Sequence, residues 1–375
     1  MSIRNKNVSK QKKHRLGGGK EFFMKKITKV VLAACAFAAV SSSAFAAKKA
    51  KTEVGIVLPT KDEPRWIQDE TSFTNLLKDN ASVEVLFSQG DSNKEKQNVE
   101  ALLTKGIKVL IICPQDGAAA AAAAEAARKD KVKVISYDRL ITDTNAVDYY
   151  VTFDSFAVGV AQGQFLIDNL KDKSKKGNPL YLYAGAASDN NAFIFFEGAW
   201  SVLQPKIADG TFEIKNSDKA KALSSKKSLS RAELSDIINQ VTTDWNFDVA
   251  KRKAADNLTV AKAADKGDVS ILAPNDGTAR AIADEFAKDP AVKSYVITGQ
   301  DAEKASLQYI RDGKQTMTVW KNTSVLAKAS VDLAMQLISG KKPATSASYK
   351  NGKIDVPAIQ AEVTVITKSN VDIVK

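Results

Sequence analysis

From residue 54 onward the chain alternates short apolar runs with stretches of helical spacing, and the runs lack the polar alternation of a half-exposed strand. Unbroken runs of this kind suit parallel strands, which lie buried because crossover helices cover both faces of the sheet. This restricts the fold to α/β. Strands are predicted over 54–58, 83–87, 109–113 and 132–137, with helices over 65–79, 94–105 and 118–129 between them. A second series starts near Asp154, with helices over 155–169, 192–207, 247–264, 278–287 and 302–311 and strands over 180–183, 212–214, 269–273 and 292–298. Two doubly wound halves result. The segment 215–235, rich in Ser, Lys and Ala without clear period, reads as an exposed insertion. Asn351-Gly352 marks a turn before a strand-like run over 359–367.

A net charge of +12 would point to nucleic acid or an anionic membrane if it were spread over the surface. It is not. Residues 1–46 hold ten Lys and Arg against the single acid Glu21, which leaves +3 for the remaining 329 residues. The one histidine, His14, and one of two cysteines, Cys35, also fall in that leader, so the body keeps only Cys113. Ser-His-Asp and Cys-His nucleophilic machinery, His-ligated zinc and an intrachain disulfide are thereby excluded from the body. Carboxylate and Lys chemistry stay open.

The leader carries an export signal: a basic start at Met24, an apolar stretch over 30–40 and the small-residue pattern Ala44-Phe45-Ala46, after which cleavage is expected. Eleven apolar residues are too few to span a bilayer. Leu32-Ala33-Ala34-Cys35 fits a lipid-attachment box, the alternative to a free mature chain. Residues 1–23 read as untranslated sequence before a true start at Met24, with Gly17-Gly18-Gly19 standing where a ribosome-binding site would lie; a basic nucleic-acid arm is the lesser alternative.

In open parallel sheets ligands lie beyond the carboxyl ends of the strands. There the chain places Lys61-Asp62-Glu63-Pro64-Arg65-Trp66, Gln115-Asp116-Gly117, Asp138-Arg139, Asp189-Asn190-Asn191, Asn275-Asp276-Gly277 and Gln300-Asp301. Neither G-x-G-x-x-G nor G-x-x-x-x-G-K-[ST] occurs, so a nucleotide lacks its phosphate cradle. Asp, Asn, Arg and Lys address hydroxyls with bidentate or charge-assisted bonds, and Trp66 and Trp245 offer flat area to the C–H faces of a ring. A sugar needs both. Each residue alone has a plainer reading: Asp116, Asp189 and Asp276 as helix caps, Trp66 as core, Asp138-Arg139 as a surface pair. Recurrence at six strand ends favours a site.

These stretches, together with Leu58-Pro59-Thr60-Lys61, Tyr137-Asp138-Arg139, Gly299-Gln300-Asp301-Ala302 and Thr316-Met317-Thr318-Val319-Trp320-Lys321, resemble the periplasmic sugar-binding proteins of ABC transporters over 53–368. The likeness is to the branch holding the xylose-binding and multiple-sugar-binding proteins, and Asn275 follows the xylose side. The resemblance implies a type I periplasmic binding protein: two α/β lobes joined by three crossovers, closing on a monosaccharide such as xylose, glucose, galactose or a related aldose. It implies sugar contacts from Lys61, Arg65, Trp66, Asp116, Asp138 and Arg139 in the first lobe. Asn191, Trp245, Asn275 and Asp301 would serve from the second, with Lys321 near a crossover and Phe195 in reserve. Crossings near Phe153, Lys321 and Ala344 would make the lobes 51–153 with 322–344, and 154–321 with 345–375. No cofactor, catalytic residue or metal is expected. The partners implied are the transporter's membrane subunits and a chemoreceptor, with no nucleic acid and a monomeric chain in the periplasm.

Two rivals differ in class. A sugar-responsive transcription regulator shares the two-lobed core but needs a helix-turn-helix where this chain has an export signal. An extracytoplasmic sugar enzyme needs a reacting pair, for which Asp116 and Asp301 are the nearest candidates.

Overall fold

The computed structural model describes residues Thr52 to Val374 apart from Asn80. The leader features, His14, Cys35, the export signal with its expected cut after Ala46 and the lipid-attachment box, lie outside the described residues.

The first lobe is built on strands β1 (Val54–Leu58), β2 (Val83–Phe87), β3 (Val109–Ile112), β4 (Lys133–Tyr137) and β5 (Tyr149–Phe153). They alternate with helices α1 (Pro64–Leu77), α2 (Ser92–Thr104) and α3 (Ala121–Lys129). β1 is buried at all five positions, the burial that its unbroken apolar run requires. The sheet extends through β11 (Ala347–Lys350) and β12 (Asp355–Ala361), in the order β11-β12-β5-β4-β3-β1-β2. All its pairings are parallel except the β11/β12 hairpin. One face packs Trp66 and Phe73 of α1 with Leu326 and Leu333 of helix α11 (Thr323–Ile338); the other packs Leu102 of α2 and Ala123, Ala124 and Ala127 of α3. Alanine lets α3 approach that sheet closely while keeping high helix propensity.

The second lobe holds a parallel sheet of β6 (Asn178–Leu182), β7 (Phe212–Ile214), β8 (Gly267–Leu272) and β9 (Val292–Ile297), in the order β7-β6-β8-β9. Beyond β9, a bridge from Gln300 to Val319 adds β10 (Met317–Trp320), itself paired antiparallel to β13 (Thr364–Thr367). Helices α4 (Ser155–Asp168), α5 (Asn190–Ala208) and α7 (Arg231–Val241) cover one face, and α8 (Phe247–Val260) and α9 (Asp276–Phe286) the other. Short α6 (Asp218–Ala222) precedes α7, and α10 (Lys304–Arg311) lies between β9 and β10.

Two expectations are corrected. Residues 345–361 belong to the first sheet, so the third crossing falls at 362–363 and not near Ala344. The cause is the β11/β12 hairpin, which the Asn351 amide anchors to the first lobe by donating to the carbonyls of Ile141 and Thr144. The expected single run over 359–367 is therefore two strands in different sheets. The other crossings lie at Asp154 and at Lys321 and Asn322. The segment 215–235 is mostly exposed, as expected, and has regular structure: it forms α6 and opens α7, where Ser230 and Glu233 make a reciprocal capping box. Leu234, Ile237, Ile238 and Val241 then bury one helical face.

Candidate functional site

Arg65 and Trp66 occupy the first turn of α1, where Pro64 suits a helix start because its missing N–H needs no partner. Arg65 is buried, with Nη2 3.0 Å from Asp138 Oδ2 and 3.4 Å from Asp69 Oδ2, and Nη1 3.6 Å from Asp301 Oδ1. Its guanidinium lies 4.1 Å from the Trp66 ring centre, and that of Arg139 5.2 Å from the same ring. Arg139 holds Asp189 Oδ2 from Nε at 3.2 Å and Glu63 Oε1 from Nη2 at 3.4 Å. Lys321 Nζ sits 2.8 Å from Asp301 Oδ1 and 5.5 Å from the centre of the Phe195 ring. Acids and cations from two lobes thus meet in one cleft.

The backbone aims these groups by local strain. Asp138 follows β4 with φ +58 and Asp301 follows β9 with φ +96, a region most side chains avoid. The Asp138 carbonyl accepts from Tyr150 Oη at 2.6 Å and from Asn191 Nδ2 at 2.8 Å, while the Asp301 N–H donates to Val319. These bonds hold both turns. Asn191 Oδ1 accepts from Ser155 of α4 at 3.1 Å, while its Nδ2 bond to Asp138 ties α5 to the first lobe. Trp245 stands at φ +57 against Gly185, where a Cβ would come within 2.0 Å of the indole; only glycine leaves that space. Phe195 meets Trp245 edge to face at 6.3 Å.

Burial and charge oppose one another here. Burial raises the Asp138 carboxyl, but Arg65, Lys321 and Arg139 overcome it and hold the group below its usual range. Burial lifts Asp69 to about 6, with Arg65 and the Tyr137 hydroxyl pulling the other way. It also raises Asp189 in spite of Arg139. Burial disfavours the charged Arg139, and Asp189 and Glu63 more than restore it.

A narrow cavity lies among these groups. Of the residues expected in it, Arg65, Trp66, Asp138, Arg139, Asn191, Trp245, Asn275, Asp301 and Lys321 line it, as does Phe195. Lys61 and Asp116 do not. The Lys61 side chain is half exposed and pairs with Glu70 at 3.6 Å, its ammonium over Phe87, because it precedes α1 on the outer side. Asp116 accepts the N–H groups of Ala118 and Ala119 in the turn before α3, whose N-cap is Ala120, so it closes a loop and does not cap the helix. Asn275 does both: it lines the cavity and caps α9 through Thr278. Glu63, Asp189 and Gln300 line it without having been singled out, although each stands inside a strand-end stretch. Asp189 was read as a cap and is one, accepting from Asn191 N–H at 2.8 Å, yet its other oxygen faces Arg139. Among the described residues, no group of His, Cys, Asp and Glu could hold a metal ion.

The set is suited to a small polyhydroxylated ring. The carboxylates and the guanidinium and ammonium groups can bond hydroxyls with charge assistance, while the indoles and Phe195 present apolar faces. The buried indole Nε1 atoms of Trp66 and Trp245 lack a hydrogen-bond acceptor within the protein, as does the Nε of Arg65.

The chain is similar to the multiple sugar-binding periplasmic receptor of Rhizobium radiobacter, with 33% identity over 92% of this chain and 94% of that protein. It is 27% identical to the D-xylose-binding periplasmic protein of Escherichia coli, over 92% and 95% of the two chains. Among solved structures, the carbohydrate transporter solute-binding protein of Chloroflexus aurantiacus, in complex with D-glucose, is 64% identical. It superposes with a TM-score of 0.84, covering 86% of this chain and 94% of that one. The solute-binding protein of Clostridium phytofermentans with bound β-D-glucose is 28% identical with a TM-score of 0.75, over 85% and 95%. Residues 54–342 match the periplasmic binding protein domain. Two doubly wound lobes, three crossings and a polar cleft between them agree with that match, and the chain belongs to the periplasmic binding protein family.

Proposed function

We propose that the protein captures a monosaccharide between its lobes outside the cytoplasm and delivers it to the membrane subunits of an ABC transporter. The observation that carries this reading is the cleft itself: paired acids and cations from both lobes, with two indoles and Phe195 beside them. A 64%-identical protein holding D-glucose makes that aldose the first to test. The residues proposed to contact the sugar are Arg65, Trp66, Asp138, Arg139, Asn191, Trp245, Asn275, Asp301 and Lys321, joined by Glu63, Asp189, Phe195 and Gln300.

The mechanism is binding without turnover. A ligand that touches both lobes favours the closed arrangement by its differential affinity, and closure is what a membrane partner reads. A chemoreceptor is a second reader of the same closed form. A ligand of about a dozen heavy atoms bound near micromolar needs roughly −8 kcal/mol, within the limits for small ligands. The relatives are named as sugar-binding periplasmic proteins, which supports a periplasmic binding role; export through the leader and a monomeric, non-enzymatic chain are part of the same proposal. Thermal-shift titration of the purified protein with pentoses, hexoses and uronic acids tests the reading. Stabilisation by D-glucose or a related aldose is expected; no response to any sugar, or conversion of the sugar to a product, overturns it.

A further inference from the structure

We propose that Asp69, which lies behind the cavity and not in it, is a positioning residue for sugar capture: with Tyr137 it fixes the Arg65 guanidinium at the cleft. The inference rests on the sugar-binding reading of that cleft. Asp69 stands one turn beyond Arg65 on α1 and is fully buried. Its Oδ2 is 3.4 Å from Arg65 Nη2, and its Oδ1 accepts from the Tyr137 hydroxyl at 3.0 Å. The same Nη2 donates to Asp138, and Nη1 reaches across to Asp301 in the second lobe.

When the lobes part, the Asp301 contact is lost and Arg65 keeps only groups of its own lobe. Without Asp69 the long side chain would keep only Asp138 and the face of Trp66, and more of its ordering would have to be supplied at each capture, a cost that pre-organisation removes. A buried carboxylate is otherwise a poor way to stabilise a fold, since an apolar residue of similar volume does as well or better. Orientation of Arg65 accounts for its presence. Burial brings Asp69 to about 6, so the carboxylate that holds Arg65 is lost in mild acid.

The groups facing Asp69 are Arg65 on its own helix and Tyr137 and Asp138 at the end of β4; Asp301, paired with Lys321, meets Arg65 and not Asp69. On the other elements packed against α1, Lys328 and Asp332 of α11 pair with each other, and Glu84 of β2 pairs with Lys105.

Calorimetric titration with D-glucose, and in parallel D-xylose, between about pH 5 and pH 8 tests the proposal on wild type, Asp69→Asn and Tyr137→Phe. Wild-type affinity should fall about tenfold as pH drops through the Asp69 range. Asp69→Asn should bind weakly at every pH with that slope gone. Tyr137→Phe keeps the ring and removes the donor that favours the ionised carboxyl, so its midpoint should move to higher pH. A purely structural Asp69 would lower melting temperature and leave the slope of the folded protein intact. Wild-type affinity and slope in Asp69→Asn would overturn the inference while leaving sugar binding standing. Should that variant not fold, an unmoved midpoint in Tyr137→Phe overturns it instead. A wild type that binds neither sugar removes the sugar reading, and this inference with it.

Discussion

Arg139 is shared by three partners: Glu63 of its own lobe, Asp189 of the other, and the face of Trp66. Removing it strands the buried Asp189 carboxylate, and removing Asp301 strands Lys321. Each of Arg139→Ala and Asp301→Ala is expected to weaken sugar binding by about 2 kcal/mol or more, the scale of an unpaired buried partner, and unchanged affinity in a titration would count against the site. Glu95 allows a test of stability. It is buried in the first turn of α2 and accepts the Gln115 N–H at 2.7 Å, and burial lifts its carboxyl to about 7. The raised value means that the fold keeps a proton which the unfolded chain releases near pH 4.5. The stabilisation is therefore complete below that pH and is lost as pH rises through about 7, with a ceiling near 3 kcal/mol. Glu95→Gln should reduce the fall of urea-unfolding stability between about pH 4.5 and 7.5, leaving the part due to Asp69; the full wild-type slope in that variant refutes the assignment. Residue type and strand-end position made most of the cleft legible, because doubly wound sheets put those ends together. They did not tell Asp116, whose carboxylate caps its own loop, from Asp189, which caps a helix and also faces Arg139.

The elements were the most readable layer, since apolar runs and helical spacing are local. What escaped were choices that depend on pairing: β12 joins β5 of the first sheet while β13, directly after it, joins β10 of the second, and no local pattern encodes that. The contact between α4 and α5 shows how an element places the site. At Gly159 a Cβ would lie 1.9 Å from the Phe195 carbonyl oxygen, so the helices touch backbone to backbone. That approach sets where Phe195 stands in the cavity wall. Gly159→Ala should force the helices apart, costing about 2 kcal/mol as overpacking does, and should also weaken sugar binding by shifting Phe195. Urea midpoints and a sugar titration read the two effects separately. A variant as stable as wild type would mean that the helices part freely.

At the scale of the molecule, the proposed mechanism makes the three crossings a hinge, and the cleft bonds then decide how often the lobes meet. Several of those bonds join protein to protein: Arg65 to Asp301, Arg139 to Asp189, Asn191 to the Asp138 carbonyl, and the Gly117 N–H to the Ser188 carbonyl at 3.1 Å. Part of the closing free energy therefore belongs to the chain, and the sugar need supply only the remainder. A ligand shifts such an equilibrium by its differential affinity alone, so weakening a protein bond across the cleft moves the sugar-free population toward open and lowers apparent affinity by the lost closed fraction. Asp189→Asn is the clean test. Asparagine caps a helix as well as aspartate does, so α5 keeps its start while the charge facing Arg139 is removed. Small-angle scattering should give a larger sugar-free radius of gyration for Asp189→Asn than for wild type, and saturating sugar should return both to the same compact value. Equal sugar-free radii would show that the ion pair does not contribute to closure.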